Sequence, residues 1–182
     1  MSKRVLVIST SPREMGNSYG LAEAFAKGAK EAGNEVTLIS LSEKTLSFCK
    51  GCLACQVKKD GHCIQHDDLD VIVSNMAKAE VIAFATPIYF YSMCAQMKTL
   101  LDRSNPLYPI DYQFRDIYLM TSAADEEKSA MDVAIQGLQG WIDCFDKASL
   151  KGVVYGTALD TKKELLNHPE LCKEAFDMGN QV

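Results

Sequence analysis

The chain reads as an α/β domain built on a parallel sheet with helices on both faces. Three observations predict this. Short β-branched runs recur along the 182 residues with little polar alternation, as strands covered on both faces read. Amphipathic segments of helical period lie between them. The unusual residues gather directly after the first and third of these runs, where a doubly wound sheet opens its ligand crevice.

Lys3 to Ser9, with Val5, Leu6, Val7 and Ile8, is the predicted central strand. A helix follows from about Ser18 to Ala32, its stripe formed by Leu21, Phe25, Gly28, Ala29 and Ala32 and its stop by Gly33. The second strand is Glu35 to Leu41. A cysteine-rich insertion at about 47–66 then replaces the ordinary loop, and Asp67 or Asp68 can cap a helix through Leu69, Ile72, Val73 and Met76. The third strand is Val81 to Ala85. Met93, Met97, Leu100 and Leu101 fall at helical spacing and end near Ser104 and Asn105, before Pro106. The fourth strand is Asp116 to Thr121, and a long helix from about Glu126 to Lys147 carries Met131, Ala134, Ile135, Leu138, Ile142 and Phe145 on one face. Gly152 to Thr157 is the fifth strand, Pro169 suits the first turn of a last helix, and Gly179 suits its stop. Five strands alternating with helices imply right-handed crossovers, a three-layer sandwich in the flavodoxin-like order 2-1-3-4-5, and one domain over residues 1–182.

Charge narrows the function. With 19 basic and 24 acidic residues, a formal charge of −5 and no basic stripe, the chain does not suit nucleic acid or an anionic membrane surface. Apolar runs such as Val81 to Ala85 are too short to span a bilayer. The expected setting is the cytoplasm, because no export signal is recognisable and an odd count of seven cysteines fits a reduced set better than a disulfide framework. Cys94, Cys144 and Cys172 lie on helical patterns and read as buried apolar fillers.

After the first strand stands Ser9-Thr10-Ser11-Pro12-Arg13-Glu14-Met15-Gly16-Asn17-Ser18, which places hydroxyls, an amide and a guanidinium at a helix N-terminus. Backbone N–H groups and the helix dipole there favour an anion, and the hydroxyls donate without adding charge. The loop lacks the Gly-Lys-Ser/Thr of a nucleoside-triphosphate loop and the spaced glycines of a dinucleotide fingerprint, so a monophosphate suits it best. The plainer alternative is a polar strand-to-helix turn. After the third strand, Thr86-Pro87-Ile88-Tyr89-Phe90-Tyr91-Ser92 puts three consecutive aromatics where a loop should be polar. A flat ring system would explain them, as would a dimer patch or a piece of core. Taken with the neighbouring phosphate loop, flavin mononucleotide (FMN) becomes the favoured ligand.

Cys49, Cys52, Cys55 and Cys63 follow Cys-x-x-Cys-x-x-Cys-x7-Cys, a compact set that can wrap one metal centre if Gly51 and Gly61 let the backbone coil. Four thiolates match the outer ligands of a [4Fe–4S] cubane. Zinc with help from His62 or His66, or a metal-free set of reversible thiols, are the other two readings. His168 reads as a surface or helix-start residue.

These motifs resemble the NAD(P)H-dependent FMN reductase group of the flavodoxin-like superfamily, most closely its iron–sulfur flavoprotein branch, over nearly the whole chain. The resemblance implies that Ser9, Ser11, Arg13, Asn17 and Ser18 hold the FMN phosphate. It implies that Pro87, Ile88, Tyr89, Phe90 and Tyr91, with Lys98, Asp102 and Arg103 beyond them, form the flavin-ring segment, and that Thr121, Ser122 and Ala123 approach the ring from the other side. It further implies a [4Fe–4S] centre on Cys49, Cys52, Cys55 and Cys63 and a homodimer or homotetramer. The expected reaction takes hydride from NAD(P)H and passes electrons to a small-molecule or protein acceptor, with no side chain required as a general acid or base. A cluster relaying single electrons from a ferredoxin-like donor is the alternative.

Overall fold

The computed structural model describes Ser2–Val182. In chain order the elements are β1 (Arg4–Ser9), α1 (Asn17–Glu31), β2 (Glu35–Ser40), α2 (Ala54–Lys58), α3 (Leu69–Lys78), β3 (Val81–Tyr89), β4 (Ser92–Met93), α4 (Ala95–Arg103), β5 (Asp116–Ser122), α5 (Asp132–Ile142), β6 (Ser149–Gly156) and α6 (Pro169–Asn180). Five strands pair in parallel in the order β2-β1-β3-β5-β6, which counted among themselves is 2-1-3-4-5, and β4 adds an antiparallel pair to β3.

Each buried strand feeds two cores because alternate side chains leave opposite faces of the sheet. Leu6, Ile8, Ile82, Phe84, Ile117 and Leu119 pack beneath α3, α4 and α5. Val5, Val7, Val81, Ala83 and Met120 pack beneath α1 and α6. The chain steps from β1 outward to β2 and then crosses to β3 on the other side of β1, so the loops after β1 and β3 part at the C-terminal edge of the sheet. Among the described residues no helix is long and apolar enough to cross a membrane.

Four sequence expectations need correction. The 126–147 stretch is not one helix: Asp125 accepts a hydrogen bond from the Glu127 N–H at 2.8 Å, an Asx turn that competes with helical pairing, and the far end tightens into i→i+3 bonds at Cys144 and Phe145. Cys144 therefore sits past the end of α5 and is exposed, and Cys172 is only half-buried; Cys94 alone of the three is a buried residue. Gly179 does not stop the last helix but lies within it, where α6 crosses α1. The third strand does not end at Ala85; it runs to Tyr89 and turns back through Phe90 and Tyr91 into β4.

That two-residue hairpin turn has φ of +51° at Phe90 and +63° at Tyr91. Both central residues of such a turn need the left-handed region, which asparagine and glycine tolerate and large aromatics do not. The strain amounts to about 1 kcal/mol or more per residue. Phe90→Asn combined with Tyr91→Gly is expected to raise stability by about 1–2 kcal/mol, read as a higher thermal midpoint. An unchanged or lower midpoint would show that the two rings stabilise the turn through contacts of their own.

Candidate functional site

The C-terminal edge of the sheet brings three connections side by side. Ser9 pairs with Ala85 across β1 and β3, and Pro87 pairs with Ser122 across β3 and β5. A cavity of about 150 Å³ opens between them, lined by Ser11, Arg13, Gly16, Asn17 and Ser18 from the first connection, Pro87, Ile88 and Tyr89 from the second, and Ser122, Ala124, Leu159 and Asp160 from the far side. Residues separated by more than a hundred positions thus share one concave surface.

Its polar end is built by the start of α1. Ser11 Oγ accepts the Arg13 N–H at 3.1 Å, closing a short turn that presents Gly16 as the N-cap. No side chain caps the helix, so its first N–H groups are left for a ligand. Ser9 Oγ is buried with no hydrogen-bond partner, and Ser18 is 1% exposed while lining the cavity. Ser9 lies just behind the cavity lining, and the uncapped helix donors at its front are what a phosphate would satisfy. The residues present therefore fit an FMN tail. Arg13 is the cation of the lining and Asp160 its opposing carboxylate.

Asn17 has a different task from its neighbours. Its amide donates to the Thr161 carbonyl at 2.9 Å and accepts the Leu165 N–H at 3.2 Å, so its side chain latches the connection after β6 onto α1. That latch places Leu159 and Asp160 in the cavity. Sequence reasoning did not find either residue, because a polar connection 148 positions away from Asn17 carries no local signal.

At the apolar end Pro87 is buried, Ile88 is half-buried and Tyr89 is 40% exposed. Phe90 and Tyr91 project from the hairpin tip, outside the lining. Thr121 is buried and spends its hydroxyl on the Val154 carbonyl at 2.9 Å, and the Ala123 N–H is taken by the Gly156 carbonyl. Ser122 and Ala124 are the residues of that connection that reach the cavity. Beneath the site Thr10, Thr86 and Cys94 form a buried polar knot: Thr10 donates to Ala85 O at 2.9 Å, the Cys94 N–H to Thr86 Oγ1 at 3.2 Å, and the Cys94 thiol to Thr10 O at 3.2 Å. The knot ties the first two connections to the start of α4, which holds their spacing fixed.

The cysteine segment forms a second locus. Cys49, Cys52, Cys55 and Cys63 all line one small cavity of about 30 Å³ together with Arg103. Gly51 and Leu53 take positive φ there, so the backbone coils between the first thiols. Burial pushes the Cys55 thiol up, and the charges of Cys63 and Cys52 add to that while the Gln56 N–H opposes it. Among the described residues no three of His, Cys, Asp or Glu stand close enough together to hold a metal ion. The donor set has the chemistry of a thiolate-bound centre, and the ligand geometry is not preassembled. His62 pairs with Asp70 at 3.1 Å and His168 with Glu170 at 3.0 Å; neither lines this cavity.

Arg103, which the resemblance places in the ring segment, instead turns under the cysteines. Its guanidinium is 1% exposed and pairs bidentately with Asp67 at 2.8 and 3.1 Å. Burial disfavours its charge, yet Asp67 and Cys63 outweigh that and hold it above the ordinary guanidinium value. For Asp67 burial likewise acts upward, and the bonds from Arg103 and from the Ser47 and Leu69 N–H groups hold the carboxyl below the usual range. The signal in the sequence is position: Arg103 falls three residues after Leu100 on the buried stripe of α4, where an arginine needs a partner.

A profile of NADPH-dependent FMN reductases matches residues 3–140. An iron–sulfur flavoprotein of Methanocaldococcus jannaschii is 41% identical over 113 residues, 62% of this chain and 57% of that protein. An iron–sulfur flavoprotein of Methanosarcina thermophila is 26% identical over 182 residues, 96% and 94% of the two chains. The chain spans about half the length of the first relatives it matches. Among solved structures, an NAD(P)H:quinone oxidoreductase from Methanothermobacter marburgensis superposes with a TM-score of 0.79 at 15% identity, covering 100% of this chain and 96% of that one, which speaks to the fold. With the profile covering most of its length, the chain belongs to the NADPH-dependent FMN reductase family.

Proposed function

We propose that the protein is an FMN-dependent oxidoreductase that accepts hydride from NADH or NADPH and passes the electrons to a second acceptor. The observation that carries this reading is the single cavity joining the uncapped start of α1 to Pro87, Ile88 and Tyr89. FMN, when bound, supplies the ring that takes up hydride and gives up electrons. Ser9, Ser11, Arg13 and Ser18, with the first N–H groups of α1, hold the phosphate. Pro87 to Tyr89 and Ser122, which line the same cavity, would hold the ring. The chain's work is positioning, since a nicotinamide must stack at contact distance on an open ring face. No general acid or base is assigned.

Open apolar surface supports a homodimer or homotetramer: Phe90, at the hairpin tip after β3, is fully exposed, and Phe48, in the cysteine segment, is 77% exposed. The acceptor is a small molecule or a protein, and the setting is cytoplasmic. Mixing the FMN-loaded protein with NADH or NADPH without oxygen is expected to bleach the flavin band. A band that persists with both nucleotides would remove the hydride-transfer role.

A second reading rests on the four cysteines lining one cavity. In it Cys49, Cys52, Cys55 and Cys63 would hold a [4Fe–4S] cluster, with a ferredoxin-like protein as the electron donor. Such a centre supplies one-electron chemistry that flavin can convert to two-electron steps. Iron and sulfide analysis after anaerobic reconstitution separates this from zinc or free thiols.

A further inference from the structure

We propose that Arg103 is the positioning residue of the cysteine centre: it clamps the base of the 47–66 segment and donates to Cys63 Sγ, so that it fixes the anchored thiol and sets the centre's reduction potential. The proposal rests on the cluster reading for its redox part and on geometry alone for its clamping part.

One buried group joins both ends of the segment. Arg103 Nη1 donates to the Ser47 carbonyl and to Asp67 Oδ2, while Asp67 Oδ2 accepts the Ser47 N–H at 3.0 Å. Asp67 Oδ1 also accepts the Leu69 N–H at 3.2 Å, which ties the same knot to the start of α3. Residues 47 and 67, where the segment leaves and rejoins the fold, are thereby held at one ion pair whose side chains are 1% and 4% exposed. Within the segment the four thiols differ. Cys49 and Cys52 are exposed, whereas Cys63 is half-buried, receives Arg103 Nη2 at 3.4 Å on its sulfur, and has its own N–H held by Asp70 at 3.2 Å.

The chemistry of the donors points to anionic sulfur. A neutral thiol is a weak acceptor, and a guanidinium is a strong, permanently charged donor. One carboxylate accounts for its two Asp67 bonds, but Nη2 is shared with Cys63, and Nε is buried without any partner. Arg103 lines the cysteine cavity, so a cation with spare donor capacity stands beside four sulfurs. Such a group matches thiolate or metal-bound sulfur, whose negative charge it would offset. A hydrogen bond and a positive charge on a ligand sulfur favour the electron-rich form of the centre and raise its potential.

The test compares the wild type with Arg103→Lys, which keeps the charge and loses the fork. The bound flavin band and cooperative unfolding serve as the fold control. In the anaerobically reconstituted protein the midpoint of the cluster is expected to fall by at least about 59 mV, a tenfold change in a one-electron equilibrium. In the metal-free protein iodoacetamide labelling, read site by site by mass spectrometry, is expected to modify Cys63 about tenfold faster in the variant and the exposed Cys144 at an unchanged rate, because Cys144 lies outside the segment that Arg103 clamps. Equal potentials, or an unchanged Cys63 rate, overturn the proposal. A wild type that takes up neither iron nor sulfide removes the cluster reading instead, and the Cys63 rate then decides the role of Arg103. If Arg103→Lys fails the fold control, Asp67→Asn is read instead: it leaves the guanidinium on Cys63 and removes the carboxylate charge that offsets it, so the midpoint is expected to rise, and a midpoint that falls or stays equal overturns the proposal.

Discussion

Gly179→Ala is expected to destabilise the fold by at least about 2 kcal/mol, whereas Gly140→Ala, the same change in another helix, is expected to stabilise it by about 1 kcal/mol. Both glycines lie inside helices, so helix propensity alone favours alanine at each by about 1 kcal/mol. Their surroundings decide the sign. A Cβ at Gly140 meets nothing within 4 Å, while one at Gly179 would stand 2.1 Å from the Phe25 carbonyl oxygen and 3.0 Å from the Ala29 nitrogen. Gly28 faces it across the crossing, its Cβ falling 2.0 Å from the Phe176 carbonyl oxygen. These obstacles are backbone atoms of a neighbouring helix, so no rotamer change relieves them; α1 and α6 must separate, and the packing of Phe25, Ala29 and Ala175 goes with them. Once one alanine has forced the helices apart the second meets less resistance, so Gly28→Ala with Gly179→Ala should destabilise by less than the sum of the two. Urea midpoints of the four variants test this. A Gly179→Ala midpoint that rises alongside that of Gly140→Ala would sink the close-crossing account.

The fold was legible because each strand and helix is encoded by short-range pattern. Val5 to Ile8 reads as a strand buried on both faces because the run is short and β-branched, and the stripe of Leu21, Phe25 and Ala29 reads as a helix laid on it. What escaped is what tertiary neighbours decide. Gly179 reads as a helix stop because glycine ends helices in isolation; that it is instead the contact point with α1 depends on a helix about 150 positions earlier. The aromatics at 89–91 read as a loop because nothing local says that β3 will fold back through two strained residues. The site was legible to the level of its loops and not of its atoms. Ser11, Arg13 and Ser18 do meet Pro87 to Tyr89 at one cavity, since parallel neighbouring strands must end together, yet Asn17 and Thr121 turn their side chains to structural bonds. Arg103 was readable in principle: a charged residue on an apolar stripe announces a buried partner, and only the structure says which.

The double variant Arg13→Met with Ser18→Ala is expected to weaken FMN binding about 30-fold or more while leaving riboflavin binding within about threefold, because the lost interactions face the phosphate alone. A hydrogen bond to a charged group contributes about 1.5–3 kcal/mol when shielded, and Ser18 at 1% exposure belongs in that range. Arg13 is exposed, so water and salt reduce its share to about 1 kcal/mol. Together they give about 2.5–4 kcal/mol, and 1.4 kcal/mol is tenfold in affinity. Ser9→Ala separates binding from folding in the opposite sense. Its hydroxyl is buried without a partner, so removing it should leave the unliganded protein as stable or more stable while FMN weakens. Salt supplies an independent check: the preference of the wild type for FMN over riboflavin should shrink as ionic strength rises, and that of the Arg13→Met variant should hardly change. Titrating both ligands into each variant by flavin fluorescence quenching reads all of this. Equal losses for FMN and riboflavin would mean that the α1 end of the cavity does not hold a phosphate, and that the ring, if it binds, is held by Pro87 to Tyr89 and Ser122 without an anchored tail.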